Sequence, residues 1–305
     1  MKVQLNHPGR QKPFKLGKGY IEIGNQIVRE WNNDEVHYRK FIQINGYYIN
    51  DLNDTMPKYT TLYFWGEWEG NSFFTPFPKN ERKQKVDYRR FPNGVHKPFH
   101  STVIRGVHNT DPYVYGKDFK YCGCKQKGQL TRLKPDDLIL FGTVVPSLNK
   151  FYIDTVFVVK NGNPSESIQK TGGMNYSQVY REEVLEQINE YLKPPTIKNN
   201  NKVYHSKTYW DDSNYFSFVP CKLSCGNAGF ERLFIELNNP TFQLSKYPTG
   251  KSFLRNCPLS PQDLWKEVVV ACAEQGFVLG IQFDEPTFNN ILDDLNNKNE
   301  ENDSH

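Results

Sequence analysis

The stretch FYIDTVFVVK, residues 151–160, decides how the chain folds. Four apolar residues follow one another at 156–159, so a strand here is apolar on both of its faces. Because successive side chains of a strand alternate between faces, such a strand lies centrally in a sheet and is covered on both sides. A second apolar stretch, DLILFG (137–142), comes shortly before it. The sequence therefore predicts a central pair of strands with further layers on either side.

Further candidate strands surround this pair along the chain. Clusters of Gly, Pro, Asn and Asp separate them, as turns between consecutive strands require. They are YIEIG (20–24), FIQINGYYI (41–49), TLYFWGEWE (61–69), STVIRGV (101–107) and FVLGIQF (277–283). Asn45-Gly46 also predicts a tight type I′ hairpin turn, because this dipeptide tolerates positive φ angles. The N-terminal half is thus expected to form a barrel-like or sandwich structure with an antiparallel or mixed sheet.

Helices are predicted in the C-terminal half. The stretch 177–195 carries apolar residues at steps of four and ends at two prolines. The stretch 260–276 has Ser260 as its cap, Pro261 in its first turn and Gly276 at its end. The expected buried face of this second helix consists of Leu264, Trp265, Val268, Val269 and Cys272.

These patterns predict an α+β, β-rich fold, either as two intimate units or as one domain with an insertion. We expect a β-rich, barrel-like domain over residues 1–170 and a helix-containing α+β domain or subdomain over residues 171–297. Residues 298–305 are polar and acidic with nothing to bury, so a disordered tail is expected there. The asparagine-rich stretch 194–205 is the expected linker or long loop.

The basic residues are unevenly distributed. The net charge of the 305 residues is +4, but residues 1–21 hold five basic residues and no acid, and residues 79–90 hold six basic and two acidic residues. Local basic patches favour a polyanionic partner, namely nucleic acid or a nucleotide, although a solvated loop is the alternative. The candidate phosphate-binding residues of the second patch are Arg82, Lys83, Arg89 and Arg90.

The expected location of the protein is the cytoplasm. No apolar run approaches the ~18 residues that a membrane span needs, so we expect no membrane partner. The N-terminal stretch MKVQLNHPGRQKPF lacks the apolar core of an export signal. The sequence does not indicate the oligomeric state.

Rings and carboxylates alternate in TLYFWGEWEG, residues 61–70. In a strand, Tyr63, Trp65, Glu67 and Glu69 share one face, and the opposite face is the expected core face. The rings would stack a base or sugar, while the two carboxylates would bind a divalent cation or act as acid and base. The alternative is a solvated strand face that pairs with lysines of its neighbour.

The loop HNTDP (108–112) is a second candidate site. His108 has a side chain that titrates near neutral pH, Asp111 is placed to orient it, and Asn109 is a candidate binding residue. The structural alternative is a turn in which these polar groups satisfy backbone donors.

The cysteines allow a metal site. Cys122, Cys124, Cys221 and Cys225 would supply four thiolates for a structural zinc ion that joins the two halves. Their spacings are looser than in well-known zinc sites, and buried thiols that pack as small apolar groups are the alternative. Zinc at the cysteines and a divalent cation at Glu67 and Glu69 are the cofactors that the sequence allows, and it does not decide whether either is bound.

Asp154 enters the doubly apolar strand of residues 151–160. A carboxylate there needs a partner, and Arg105 or Arg232 is the expected cation.

Three functional hypotheses follow from these patterns. The first is a nucleic-acid- or nucleotide-directed protein with a basic, aromatic-rich binding surface. The second is a hydrolase or lyase that uses Glu67, Glu69, His108 and Asp111. The third is a protein–protein interaction module with an aromatic surface. The sequence lacks the motifs of Rossmann dehydrogenases, zincin proteases and ordinary α/β-hydrolases.

Overall fold

The computed structural model covers most of the chain. It describes residues 1–7, 9–30, 38–78, 87–102, 110–123, 125–160, 165–167, 176–187, 202–239 and 243–292. For residues 165–167 the description is limited to the backbone.

Short strands dominate the described residues. They are β1 (Lys2–Asn6), β2 (Tyr20–Ile23), β3 (Gln26–Arg29), β4 (Lys40–Ile49), β5 (Lys58–Gly66), β6 (Ser72–Pro76), β7 (Gly94–Pro98), β8 (Lys120–Tyr121), β9 (Leu138–Val145), β10 (Lys150–Val158), β11 (Ser165–Ser167), β12 (Lys202–His205), β13 (Val219–Lys222), β14 (Phe234–Glu236), β15 (Gly250–Phe253) and β16 (Val278–Phe283). The helices are α1 (Gln178–Tyr180), which a π-helical turn (Arg181–Leu185) continues, and α2 (Pro261–Glu274). Two 3₁₀ turns cover Gly128–Arg132 and Pro146–Leu148.

The strands form two large sheets and one small sheet. The largest has the order β16-β13-β5-β4-β7-β6-β3-β2, and β16 also pairs with β4, which closes its first four strands into a small barrel. The second has the order β14-β10-β9-β1-β15, and the third is β11-β12-β8. The predicted α+β, β-rich fold with a barrel-like sheet is confirmed.

The strand pair β9 and β10 is central, as its apolar sequence predicts. Every residue of β9 is buried, and β1 and β10 flank it. Leu138 and Leu140 face one core together with Trp265 of α2. Ile139 and Phe141 face the other core, which contains side chains of the barrel. The alternation of β9 thus joins the two cores of the molecule.

Strands from both predicted units share the large sheets. β13 pairs with β5 and β16 pairs with β4 in the barrel, while β14 and β15 extend the second sheet. The boundary at residue 170 stays a prediction. The expected tail at 298–305 and most of the expected strand at 101–107 lie outside the described residues.

One turn prediction is wrong. β4 runs without interruption through Asn45-Gly46, where the dipeptide indicated a hairpin. Gly46 is needed there for a different reason, because a Cβ atom on it would lie 2.4 Å from the backbone oxygen of Gln282 in β16. The missing side chain lets β16 approach β4 and close the barrel.

The helix predictions hold to different extents. α2 begins after Ser260, whose hydroxyl accepts a hydrogen bond from the Asp263 amide, and its predicted buried face is confirmed. The helix expected from residue 177 is observed as α1 and its π-helical turn, while residues 188–195 lie outside the described chain. No helix of the described residues is long and apolar enough to cross a membrane.

Candidate functional site

The acidic stretch after β5 turns into the protein interior. β5 ends at Gly66, and the following carboxylates are almost fully enclosed, with Glu67 4% exposed and Glu69 0% exposed. Leu62, Phe64 and Trp68 lie in the core as the alternation predicts. The opposite face is not a solvated surface, because Trp65 is also buried and Tyr63 is half-buried. The buried carboxylates of this face therefore need cationic partners in the interior.

Glu67 belongs to a buried network of two acids and two arginines. Arg39 pairs with Glu67 and also with Asp154, where Nε lies 2.9 Å from Oδ2. Arg232 pairs with the other oxygen of Asp154, which confirms one of the two partners expected from the sequence. The register of β10 against β9 shifts between Ile153 and Thr155, so Asp154 occupies a β-bulge. A bulge redirects a side chain, and here the redirected carboxylate lies between the two guanidinium groups.

Arg232 also holds neighbouring loops together. Its guanidinium donates hydrogen bonds to the backbone oxygens of Gly9 (2.8 Å) and Arg89 (3.0 Å) and lies over the ring of Trp65 at 5.1 Å. Opposite charges of equal number compensate one another in this network, and hydrogen bonds replace part of the lost hydration. Its role is to fix the ends of several chain segments in the interior.

Glu69 lies near a second buried cation, Lys40. The Lys40 ammonium donates a hydrogen bond to the backbone oxygen of Trp68, and Thr110 accepts one from the Glu69 amide through its hydroxyl at 2.9 Å. Burial lowers the pKa of Lys40 to about 8, while the charge of Glu69 opposes this shift. Arg39 and Lys40 are adjacent in sequence, so the start of β4 supplies a cation to the surroundings of each of the two glutamates.

His100 connects the same region to the π-helical turn. Its Nδ1 lies 2.9 Å from Glu183 Oε1 and its Nε2 lies 2.8 Å from Glu182 Oε2. Burial disfavours the charged imidazole, but the hydrogen bond and charge of Glu183 outweigh it and raise the pKa of His100. Burial raises the pKa of Glu183 to about 7, against the opposing hydrogen bond from His100. The pKa values of both partners in this buried contact are thus raised.

A small pocket opens beside these networks, at the start of β4. We call it the cationic pocket, and it is lined by Gln11, Lys12, Tyr20, Arg29, Tyr38, Arg39, Lys40 and His96. Its lining includes four lysines or arginines and, among the described residues, no acid. The cavity volume is about 10 Å³, which is enough for one water molecule or one oxygen atom of a ligand. The lining combines four basic side chains with two tyrosine rings, and the charge of Arg39 is compensated by Glu67 and Asp154.

His96 supplies an uncharged nitrogen to the cationic pocket. Burial, reinforced by the charges of Lys40 and Arg29, holds the pKa of His96 well below its usual 6.5. Ser72 Oγ lies 2.9 Å from Nδ1, whereas the buried Nε2 has no hydrogen-bond partner among the described residues. If the Ser72 hydroxyl donates to Nδ1, the ring proton is on Nε2, which is then a donor toward the pocket.

The candidate loop at 108–112 is only partly described. Asp111 accepts hydrogen bonds from the backbone amides of Cys122 and Gly123, each at 3.0 Å. This is the structural alternative that the sequence left open. His108 and Asn109 lie outside the described residues, so their pairing with Asp111 stays a prediction.

The predicted phosphate-binding arginines have acidic partners. Arg89 Nε lies 2.9 Å from Asp87 Oδ1, and Arg90 lies 2.7 Å from Glu231 Oε1. Both pairs are partly exposed. Arg82 and Lys83 lie outside the described chain.

The described cysteines occupy different environments. Cys122 and Cys221 are buried in the core that contains the barrel side chains, and Cys225 is half-buried beside Tyr63. Within the described residues, no group of three or more His, Cys, Asp or Glu side chains is arranged to hold a metal ion. Cys124 lies outside them, so the four-cysteine zinc site stays a prediction.

The titratable residues that sequence reasoning did not assign to this region are Arg39, Lys40, His96, His100 and Glu183. A signal for the first two was present in YRKFIQI, where two cations directly precede an apolar strand and must be buried with it. The histidines and Glu183 come from distant segments, and no local pattern places them together. No protein-family model, curated protein or solved structure matches the chain.

Proposed function

We propose that the protein binds a nucleotide or a nucleic acid and that the cationic pocket receives a phosphate oxygen of this ligand. One observation carries the proposal: Lys12, Arg29, Arg39 and Lys40 converge on one pocket together with the buried Nε2 of His96. Positive side chains and N–H donors around a small cavity are the chemistry that recognises phosphate.

The size of the pocket defines how the ligand enters. A cavity of about 10 Å³ accepts one oxygen atom and excludes a whole phosphate group. The phosphorus and the remaining oxygens would therefore stay at the mouth of the pocket. His96 Nε2 would donate a hydrogen bond to the enclosed oxygen, and Lys40 would supply the nearest buried charge.

The aromatic part of the ligand has a surface at the mouth. Lys12 and Tyr38 are half-buried there, and the Lys12 ammonium lies 5.7 Å from the centre of the Tyr38 ring. An aromatic ring beside a cation suits a base that stacks while its phosphate is bound. This arrangement favours a nucleotide over a bare inorganic anion.

The test is calorimetric titration of the full chain with a nucleoside triphosphate, with the corresponding nucleoside and with inorganic phosphate. We expect the triphosphate to bind and the nucleoside not to bind measurably. Lys12→Glu should weaken triphosphate binding by about tenfold or more, because it removes one cation and adds an anion at the mouth. Lys266→Glu is the matched control, since Lys266 is an exposed lysine on α2.

The pH dependence of this titration separates the proposal from general charge attraction. Affinity should fall as pH rises through about 8, because Lys40 then loses its proton. It should also fall with added salt. If the triphosphate does not bind, or if Lys12→Glu and Lys266→Glu weaken it equally, the cationic pocket is not the binding site.

Catalysis is a second candidate, in line with a hydrolase or lyase. The observation that favours it is the pair Lys40 and Glu183, whose pKa values of about 8 and about 7 suit proton transfer near neutral pH. Glu69 would then tune Lys40, while Glu67 would act through its contact with Arg39. Turnover of a nucleoside triphosphate by the wild type, lost in Glu183→Gln with binding retained, would support it, because Glu183 does not line the cationic pocket. Equal phosphate release with and without protein would exclude it for this substrate.

A further inference from the structure

A cluster of exposed aromatic rings lies on the outside of the barrel. Tyr47 of β4 and Tyr59 of β5 are opposite one another in the strand register, with ring centres 5.0 Å apart. Trp210 meets Tyr47 edge to face at 6.0 Å. Their exposed fractions are 37%, 50% and 53%, respectively. We call Tyr47, Tyr59 and Trp210 the aromatic platform.

The three exposed rings form one contiguous group. Among the described residues twelve large hydrophobic side chains are exposed, and the platform residues are the ones in this set whose rings contact each other. Leu52 and Met56, from the loop that joins β4 to β5, belong to the same set. Single exposed apolar side chains are ordinary, whereas a contiguous group marks an interaction surface.

The aromatic platform is held in a fixed geometry. Tyr47 and Tyr59 lie on paired strands of the closed barrel, and the Tyr59 hydroxyl donates a hydrogen bond to Asp284. The turn that carries Trp210 is joined to the β4–β5 loop by a 3.3 Å hydrogen bond from the Tyr209 hydroxyl to the backbone oxygen of Asp54. A rigid aromatic surface loses little conformational entropy when a partner binds.

The charge around the platform is opposite to that of the whole chain. The segments that build it, residues 47–59 and 208–212, contain four aspartates, and the exposed Asp284 adjoins them. Three of these five aspartates are paired with lysines, in Asp54–Lys58, Asp211–Lys160 and Asp212–Lys207, so acidic charge stays in excess around the platform. The net charge of the whole chain is +4. A phosphate-bearing ligand is therefore repelled from the platform, while a cation is attracted both by the aspartates and by the ring faces.

We infer that the aromatic platform is a docking site for a basic peptide segment of a partner protein. Arginine or lysine side chains of that segment stack on the exposed faces of Trp210 and Tyr59, and the surrounding aspartates bind their charged ends. This site is separate from the cationic pocket and does not depend on the proposed nucleotide function.

The test uses a fluorescein-labelled peptide of alternating arginine and glycine, with a glutamate-for-arginine peptide as its comparison. We expect the arginine peptide to bind the full chain at low salt and to quench tryptophan fluorescence, and the glutamate peptide not to bind. Trp210→Ala should weaken binding on the order of tenfold, because it removes the largest cation-binding ring. Tyr247→Ala is the matched control, since Tyr247 is 74% exposed and has no ring contact among the described residues.

Each other outcome overturns the inference. No binding of the arginine peptide, equal binding of both peptides, or equal affinity of wild type and Trp210→Ala would remove the platform as a basic-peptide site. Sedimentation of the same proteins identifies a different occupant: if the wild type is a dimer that Trp210→Ala dissociates, the platform binds a second copy of this chain. Circular dichroism of each variant checks that its fold is intact.

Discussion

At the scale of single residues, Glu67 and Asp154 show how the interior tolerates charge. Each carboxylate contacts a guanidinium, and Arg39 is shared between them. The cost of leaving such a group unpaired in the interior exceeds the net contribution of the intact pair. We therefore assign Glu67 to the stability of the fold in addition to any role near the cationic pocket.

The substitution Glu67→Gln tests this assignment. It leaves the Arg39 charge with one carboxylate in place of two, so we expect a loss of about 3 kcal/mol in the free energy of unfolding, measured in urea. Glu22→Gln on β2 is the control, because Glu22 is exposed. The double variant Arg39→Met with Glu67→Gln should recover part of the loss. Equal midpoints for Glu67→Gln and Glu22→Gln would show that the Arg39–Glu67 contact does not stabilise the fold.

Part of this residue-level detail follows from the sequence. Asp154 at the start of an apolar stretch demands a cation, and Arg232 was one of two expected partners. The alternation of residues 61–69 correctly separates Leu62, Phe64 and Trp68 from Glu67 and Glu69. The alternative interpretation of this face expected lysines of a neighbouring strand, and Lys40 of β4 is such a lysine, although the face is buried and not solvated. Arg39 was not predicted, because the sequence does not show which strand pairs with β5.

At the scale of elements, the segment from Ser177 to Gln187 is attached through titrating groups. His100 contacts Glu182 and Glu183 of its π-helical turn, and Glu183 is fully buried. π-helical turns occur often at functional sites, and this one places two successive glutamates on the two nitrogens of a single ring. The attachment of the segment therefore depends on which of these groups carry protons.

The attachment should weaken as pH rises from about 4.5 to about 7, where Glu183 ionises, and further as His100 loses its proton. The folded pKa of His100 is raised, so its stabilising contribution is fully present below its unfolded pKa of about 6.5 and is lost as pH rises through the folded value. The pKa of Glu183 is raised from 4.5 to about 7, so its ionisation in the interior opposes docking increasingly across that interval. Both groups act in the same direction.

Amide hydrogen exchange of residues 178–187, corrected for intrinsic rates, measures this effect. We expect lower protection at the higher pH, and a much smaller pH dependence in His100→Gln. Protection of α2 serves as the internal control, because no contact between a histidine and a glutamate attaches that helix among the residues that the structure describes. Protection of the segment that stays constant or increases with pH would contradict the account.

At the scale of elements the sequence was informative where the signals are local. The cap and buried face of α2 and the burial of β9 and β10 follow from patterns within each stretch. The hairpin prediction at Asn45-Gly46 was wrong, because the close approach of β16 at Gly46 overrides the local turn preference. The barrel is closed by strands more than two hundred residues apart in sequence, which no local pattern encodes.

At the scale of the whole molecule, two surfaces of opposite charge lie on one scaffold. The cationic pocket is at the start of β4, and the aromatic platform with its aspartates is at the other end of the same strand and its loop. The basic segments that first suggested a polyanionic partner contribute Lys12 to the pocket, whereas Arg89 and Arg90 are paired with acids. Binding of phosphate and binding of a basic peptide are thus expected at separate places.

The most direct measurement of the central claim is the nitrogen and proton NMR signal of the His96 imidazole during titration with a nucleoside triphosphate. The signal is assigned by its absence in His96→Gln. We predict a saturable shift of His96 Nε2 and its proton, over the same concentrations as the calorimetric binding and strongly reduced in Lys12→Glu. Triphosphate binding that leaves the His96 signal unchanged would contradict the claim that the cationic pocket receives the phosphate oxygen.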